Sequence, residues 1–119
     1  MTEAYFFDTY AIIEIISGNP DYKKYTDAEI VLTKLNLFEI FYTFLKENLE
    51  KARFYMNKYR DFAIEFDADI IESAGLLKKS NPRLSMADCI GYITALKNGV
   101  KFLTGDGGFE NMSNVEFVR

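Results

Sequence analysis

Four acidic residues are spread along the chain where folding could make them meet: Asp8, Glu39, Asp88 and Asp106. Glu39 lies in Asn36-Leu37-Phe38-Glu39-Ile40-Phe41-Tyr42, a run otherwise mostly apolar and aromatic. Burying an ionised carboxylate without a partner costs several kcal/mol, comparable with the net stability of a whole domain. Carboxylates gathered together without cations repel one another and hold on to their protons. A divalent cation removes that conflict, and hard cations such as Mg2+ and Mn2+ take oxygen ligands. The chain has no histidine and one cysteine, Cys89. Imidazole-based triads, His-bound zinc and an internal disulfide are therefore excluded, and oxygen is the donor that remains.

Each acid also has an ordinary explanation. Asp8 can cap the helix that follows it. Asp88 can be the acidic member of a capping box begun by Ser85. Asp106, among glycines, can be a turn residue. Glu39 can face solvent at a helix edge.

The elements that must position these residues follow from the apolar pattern. Tyr5-Phe6-Phe7 reads as a buried strand ending in Asp8, and Asp8-Thr9 opens a helix over Tyr10 to Ile16. Ser17-Gly18-Asn19-Pro20 is a break, Asp21 to Tyr25 a short helix, and Glu29 to Thr33 a second strand. The next helix runs from about Lys34 to Asn48. Leu35, Phe38, Tyr42 and Leu45 form one row on it and Leu37, Phe41 and Phe44 an adjacent one, with Glu39 just outside this apolar arc. Glu50 to Tyr59 is helical, Ala63 to Phe66 a short alternating strand, and Asp67 caps a helix over Ala68 to Lys79. After the loop Ser80-Asn81-Pro82-Arg83, Ser85 caps a helix to about Lys97. Val100 to Thr104 and Val115 to Val118 are the last strands.

Strands alternating with helices indicate an α/β fold, a three-layer sandwich with a central, largely parallel sheet of four or five strands. Residues 1–119 read as a single domain. In such a sheet the functional crevice lies at the carboxyl ends of the strands. Asp8 follows the first strand, Asp106 follows the fourth by a single glycine, and Glu39 and Asp88 lie early in helices that can point at the same edge.

Hydrophobic residues make up 49% of the chain, with 11 Phe and 8 Tyr, so a packed core is expected. The net charge of −4 argues against tight non-specific binding to a polyanion. No apolar run is long enough to span a membrane and the first residues carry no basic signal region, so a cytoplasmic protein without membrane association is expected.

Phe6-Phe7-Asp8-Thr9, the Glu39 helix, Leu84-Ser85-Met86-Ala87-Asp88 and Phe102-Leu103-Thr104-Gly105-Asp106-Gly107-Gly108-Phe109 resemble, in order and spacing, the acidic motifs of PIN-domain nucleases. The resemblance spans almost the whole chain and is greatest to small VapC-type toxin ribonucleases. It implies metal-dependent endoribonucleolytic cleavage, with Asp8, Glu39, Asp88 and Asp106 as the catalytic quartet holding one or two Mg2+ or Mn2+. Thr9 and Thr104 match positions that often carry a supporting hydroxyl. The resemblance also implies an antitoxin protein as partner and a homodimer. Lys78, Lys79 and Arg83 flank the loop before Asp88 and are candidates for RNA contact, as is a second basic group, Arg53, Lys58 and Arg60; given the acidic total, solvated helix faces are the simpler explanation of both groups.

Other classes fit less well. A phospho-acceptor receiver module would want an acidic pair near its first strand and a lysine after a late one, and neither is present. A phosphatase with an Asp-x-Asp nucleophile would need an acid where Tyr10 stands. A PIN fold that only binds RNA is the remaining alternative, although all four acids are in place.

Overall fold

The computed structural model describes residues 3–119. Four strands, β1 (Ala4–Phe7), β2 (Glu29–Val31), β3 (Lys101–Thr104) and β4 (Val115–Phe117), form one sheet in the order β2-β1-β3-β4. Every pairing in it is parallel. Around the sheet are five helices among the described residues: α1 (Thr9–Ser17), α2 (Lys34–Leu45), α3 (Leu49–Tyr59), α4 (Ala68–Ser80) and α5 (Met86–Lys97). The architecture is the expected α/β arrangement, with four strands. None of the helices among the described residues is long and apolar enough to cross a membrane.

The two central strands come from distant parts of the chain. Phe6 pairs with Phe102 and Phe7 with Leu103, and all four side chains are fully buried. Strands covered on both faces read as continuous apolar runs, which is how Tyr5-Phe6-Phe7 and Phe102-Leu103 read. The Phe6 and Phe102 rings stack with centroids 5.5 Å apart, and Phe109 packs on Phe102 at 4.6 Å.

Helix α5 lies against this aromatic layer, and Cys89 through Ala95 are all buried. Gly91 lets it come so close. A Cβ there would sit 2.9 Å from the Phe6 ring and 3.3 Å from that of Phe102. Any larger residue would lift the helix from the sheet, and with it the helix start that carries Asp88.

Local hydrogen bonding sets the helix boundaries. Asp8 caps α1 by accepting from the Thr9 N–H, Asp67 caps α4 through the Ile70 N–H, and Ser85 with Asp88 forms a complete capping box on α5. Asp21 to Tyr25 lies within a 3-10 turn over Pro20–Tyr25.

Two expectations are corrected. Ala63 to Phe66 is not a strand: it touches the sheet at one isolated bridge, Leu32 to Ala63, so Asp106 follows the third strand. Alternating side chains alone do not make a strand without a ladder to join. The apolar arc of α2 is borne out only in part: Phe44 is buried and Leu35, Leu37 and Phe41 pack against the core, but the rest of the outer row does not. The buried row is Asn36, Ile40 and Phe44, while Phe38, Tyr42 and Leu45 are 69%, 57% and 40% exposed. Asn36 turns inward because its side chain closes the cap at the start of the helix, and this rotates the two outer aromatics toward solvent.

Candidate active site

At the carboxyl end of the sheet is an open cleft of about 510 Å³, lined by Asp8, Thr9, Tyr10, Ile13, Glu14, Glu39, Ser85, Asp88 and Asp106. All four acids singled out in the sequence border it, together with Thr9. A hollow of similar size at the other end of the strands, lined in part by Glu3, Tyr5, Tyr25 and Glu116, contains none of them.

The side chains arrive from separate elements. Asp8 stands at the junction of β1 and α1, where parallel pairing carries its backbone N–H to the Leu103 carbonyl at 3.0 Å. Its carboxylate is 5% exposed. One oxygen, Oδ1, accepts from the Thr9 N–H at 2.8 Å, and Oδ2 accepts from the Thr104 hydroxyl at 2.7 Å. The capping and site readings of Asp8 thus coincide in one side chain.

Glu39 reaches in from the second turn of α2, half-buried, and its Oε1 accepts from the Thr9 hydroxyl at 2.7 Å. Asp88 sits in the first turn of α5, where the Ser85 N–H donates to its Oδ2 at 3.0 Å. Asp106 follows β3. Its Oδ1 accepts from the Gly108 N–H at 3.0 Å, and its own N–H donates to the Thr104 hydroxyl at 3.0 Å. Thr104 is fully buried beneath the cleft.

Gly105 keeps this corner tight. A Cβ at this residue would collide with the Val118 carbonyl and the Tyr10 ring. Tyr10, whose ring borders the cleft, therefore packs over the turn between Thr104 and Asp106.

The electrostatics are unfavourable as they stand. Burial pushes the Asp8 carboxyl up to about 7, helped by the charges of Asp88 and Glu39 and opposed by the bonds from Thr104 and Thr9. Burial likewise raises Glu39, with the Thr9 hydroxyl opposing and Asp88 adding to the shift. Asp88 is raised by burial and by Asp106, against the Ser85 hydrogen bonds and the Lys78 charge. Among the described residues, no salt bridge involves any of these four carboxylates.

The donor set is all oxygen and suits a hard divalent cation, which would offset the repulsion that raises these groups. Among the described residues, no three acidic or cysteine side chains are gathered tightly enough to hold an ion as they stand. The acids line a cleft rather than close on a point.

The predicted basic residues divide. Lys78 is committed to the fold: its ammonium donates to the Leu84 carbonyl at 2.7 Å and the Pro82 carbonyl at 3.1 Å, pinning the loop before α5. Lys79 and Arg83 are exposed. Two residues at the site escaped the sequence reading. Glu14, a fifth carboxylate on the cleft wall, accepts from the Asn19 amide at 3.1 Å. It stands among Ile12, Ile13, Ile15 and Ile16, the same signal that singled out Glu39. Asn36 lies one hydrogen bond behind Thr9, at 3.1 Å.

Comparison with known proteins identifies the family and the fold. The family described as PIN domain matches residues 5–115. Among solved structures, a chain of a toxin–antitoxin complex from Klebsiella pneumoniae superposes with a TM-score of 0.77 at 22% identity, covering 95% of this chain and 96% of that one. A chain of VapBC2 from Rickettsia felis, solved bound to a DNA fragment from its promoter, superposes with a TM-score of 0.72 at 17% identity, covering 97% of each. No curated protein sequence matches significantly.

Proposed function

Starting from the fact that the chain belongs to the PIN domain family, we propose that it is an Mg2+- or Mn2+-dependent endoribonuclease that hydrolyses RNA phosphodiester bonds. The observation that carries this reading is the state of Asp8. Its carboxylate is buried at the carboxyl end of the sheet, faces Asp88 and Glu39, and is raised to about 7 with no cationic side chain bonded to it among the described residues.

Asp8, Glu39, Asp88 and Asp106 would hold the cation. When bound, it supplies a nucleophilic water at neutral pH and offsets charge on the scissile phosphate. The chain's own part is preorganisation. Thr104 and the Thr9 N–H hold both oxygens of Asp8, the Thr9 hydroxyl holds one oxygen of Glu39, and the capping box holds Asp88. These donors fix the orientation of each carboxylate, and the ion would draw the acids that line the cleft together. The open cleft leaves room for an extended single strand, and Lys79 and Arg83 lie exposed near the start of α5, where they can meet phosphate.

We further propose a toxin role, with an antitoxin as protein partner and a homodimer as the working form. Both structural relatives described above come from toxin–antitoxin assemblies. The outward Phe38 and Tyr42 of α2 provide an apolar surface beside the Glu39 rim of the cleft.

The test is cleavage of single-stranded RNA by the purified chain. Activity should vanish in EDTA, return with Mn2+ or Mg2+, and be absent in Asp88→Asn. Cleavage that persists in EDTA, or full activity in Asp88→Asn, would remove the assignment.

A further inference from the structure

Asn36 is 2% exposed and Thr33, beside it, 1%. The Thr33 backbone N–H, which can only donate, lies 2.9 Å from Asn36 Oδ1. The Thr33 hydroxyl donates to the same oxygen at 3.1 Å. These contacts decide which end of the amide is oxygen. Nδ2 is therefore the end that meets the Thr9 hydroxyl oxygen, at 3.1 Å. Because Nδ2 only donates, the Thr9 oxygen accepts, and its single proton is available for Glu39 Oε1 at 2.7 Å.

The polarity thus runs one way, from a main-chain amide through Asn36 and Thr9 into the carboxylate. A shorter chain of the same design serves Asp8: the Asp106 N–H donates to Thr104, and Thr104 donates to Asp8 Oδ2. In each case a main-chain N–H that cannot reverse sets the direction. At Glu39 that N–H is too far away, and Asn36 extends it.

On the premise of the cation site proposed above, we infer that Asn36 is a positioning residue for Glu39. By occupying the acceptor side of the Thr9 hydroxyl, it commits that proton to Oε1 and leaves Oε2 to serve a divalent ion in the cleft. Outer partners of this kind orient ligands and contribute about 10–100-fold to metal affinity.

The readout is Mn2+ binding to folded, purified protein by isothermal titration calorimetry, with circular dichroism to verify folding. Asn36→Leu keeps the side-chain size but removes both donor and acceptor. Thr9→Val removes the hydroxyl, and Thr9→Ser keeps it. Mn2+ affinity should fall about tenfold or more in Asn36→Leu and in Thr9→Val, and stay near wild type in Thr9→Ser. Adding Asn36→Leu to Thr9→Val should cause no further loss, because Asn36 acts only through Thr9. If Asn36→Leu does not fold, Asn36→Ser replaces it: the shorter side chain still serves the Thr33 N–H but does not reach Thr9. Undiminished Mn2+ affinity in a folded Asn36 variant, or additive losses in the double variant, overturns the positioning role alone. A wild type that takes up no Mn2+ overturns the cation site, and the positioning role with it.

Discussion

The Thr104 hydroxyl donates to Asp8 Oδ2 at 2.7 Å, across 96 residues of sequence. The Thr104 hydroxyl oxygen in turn accepts from the Asp106 N–H at 3.0 Å. One buried hydroxyl therefore ties the end of β1 to the turn after β3 and serves two of the four acids. Thr104→Val removes both bonds at a site where water cannot replace them. It should destabilise the protein by about 1–3 kcal/mol, and Thr104→Ser should recover most of the loss. Urea unfolding of the two variants measures this; equal stability in Thr104→Val would mean that Asp8 finds another donor.

Asp8→Asn keeps the shape of the side chain and removes a buried charge. Metal-dependent cleavage should be lost. Without metal, the thermal midpoint should stay at or above that of wild type, because repulsion from Asp88 and Glu39 is relieved. A gain of about 1 kcal/mol would raise Tm by ~4 °C in a domain of this size. A marked fall in metal-free Tm would instead make the Asp8 charge part of the fold's stability.

The pH dependence of metal-free stability should reflect the same group. Asp8 is raised from an ordinary value of 3.8 to about 7, so between those values the folded state binds the extra proton. Stability should therefore increase as pH falls from about 7 toward about 4 and decrease as pH rises through 7. Glu39 and Asp88, also raised, act in the same direction. For Asp8 alone the effect is at most ~4 kcal/mol. Thermal melts of wild type and Asp8→Asn across this range isolate it, since the variant should lose much of the slope. Saturating Mg2+ should flatten the wild-type curve by favouring the ionised form.

Phe38 is 69% exposed and Tyr42 57%, on the face of α2 turned from the core. Substituting Phe38 and Tyr42 by Ser should change the stability of the isolated chain by less than about 0.5 kcal/mol per site. If this face joins two copies, sedimentation velocity should show a dimer in wild type and a shift toward monomer in the variant. A dimer that persists places the contact elsewhere on the surface.

Much of the fold was legible because its signals are local. Asp67 and the Ser85–Asp88 pair form caps through bonds spanning three residues, so short sequence windows contain all their partners. The apolar runs of β1 and β3 read as buried strands because both faces are covered. Ala63 to Phe66 misled because strand identity depends on a neighbour, and only Ala63 finds one. The facing of α2 misled because the inward position at its start is taken by Asn36, whose partners Thr33 and Thr9 satisfy it. A polar residue looks like a surface residue until its partners are known. At the site, the four acids were visible by type and order, whereas the hydroxyl and amide connections between them cross 27 to 96 residues and exist only in the folded chain.

The placement of β3 beside β1 also orders events during synthesis. As the polypeptide leaves the ribosome, Asp8 and Glu39 emerge early, whereas Thr104 and Asp106 follow by nearly the length of the domain. A polypeptide ending before β3 carries Asp8, Glu39 and Asp88 but lacks Asp106, Thr104 and the strand that completes the cleft. The cleft at the carboxyl end of the sheet is therefore complete only once the third strand has been made and has paired with the first.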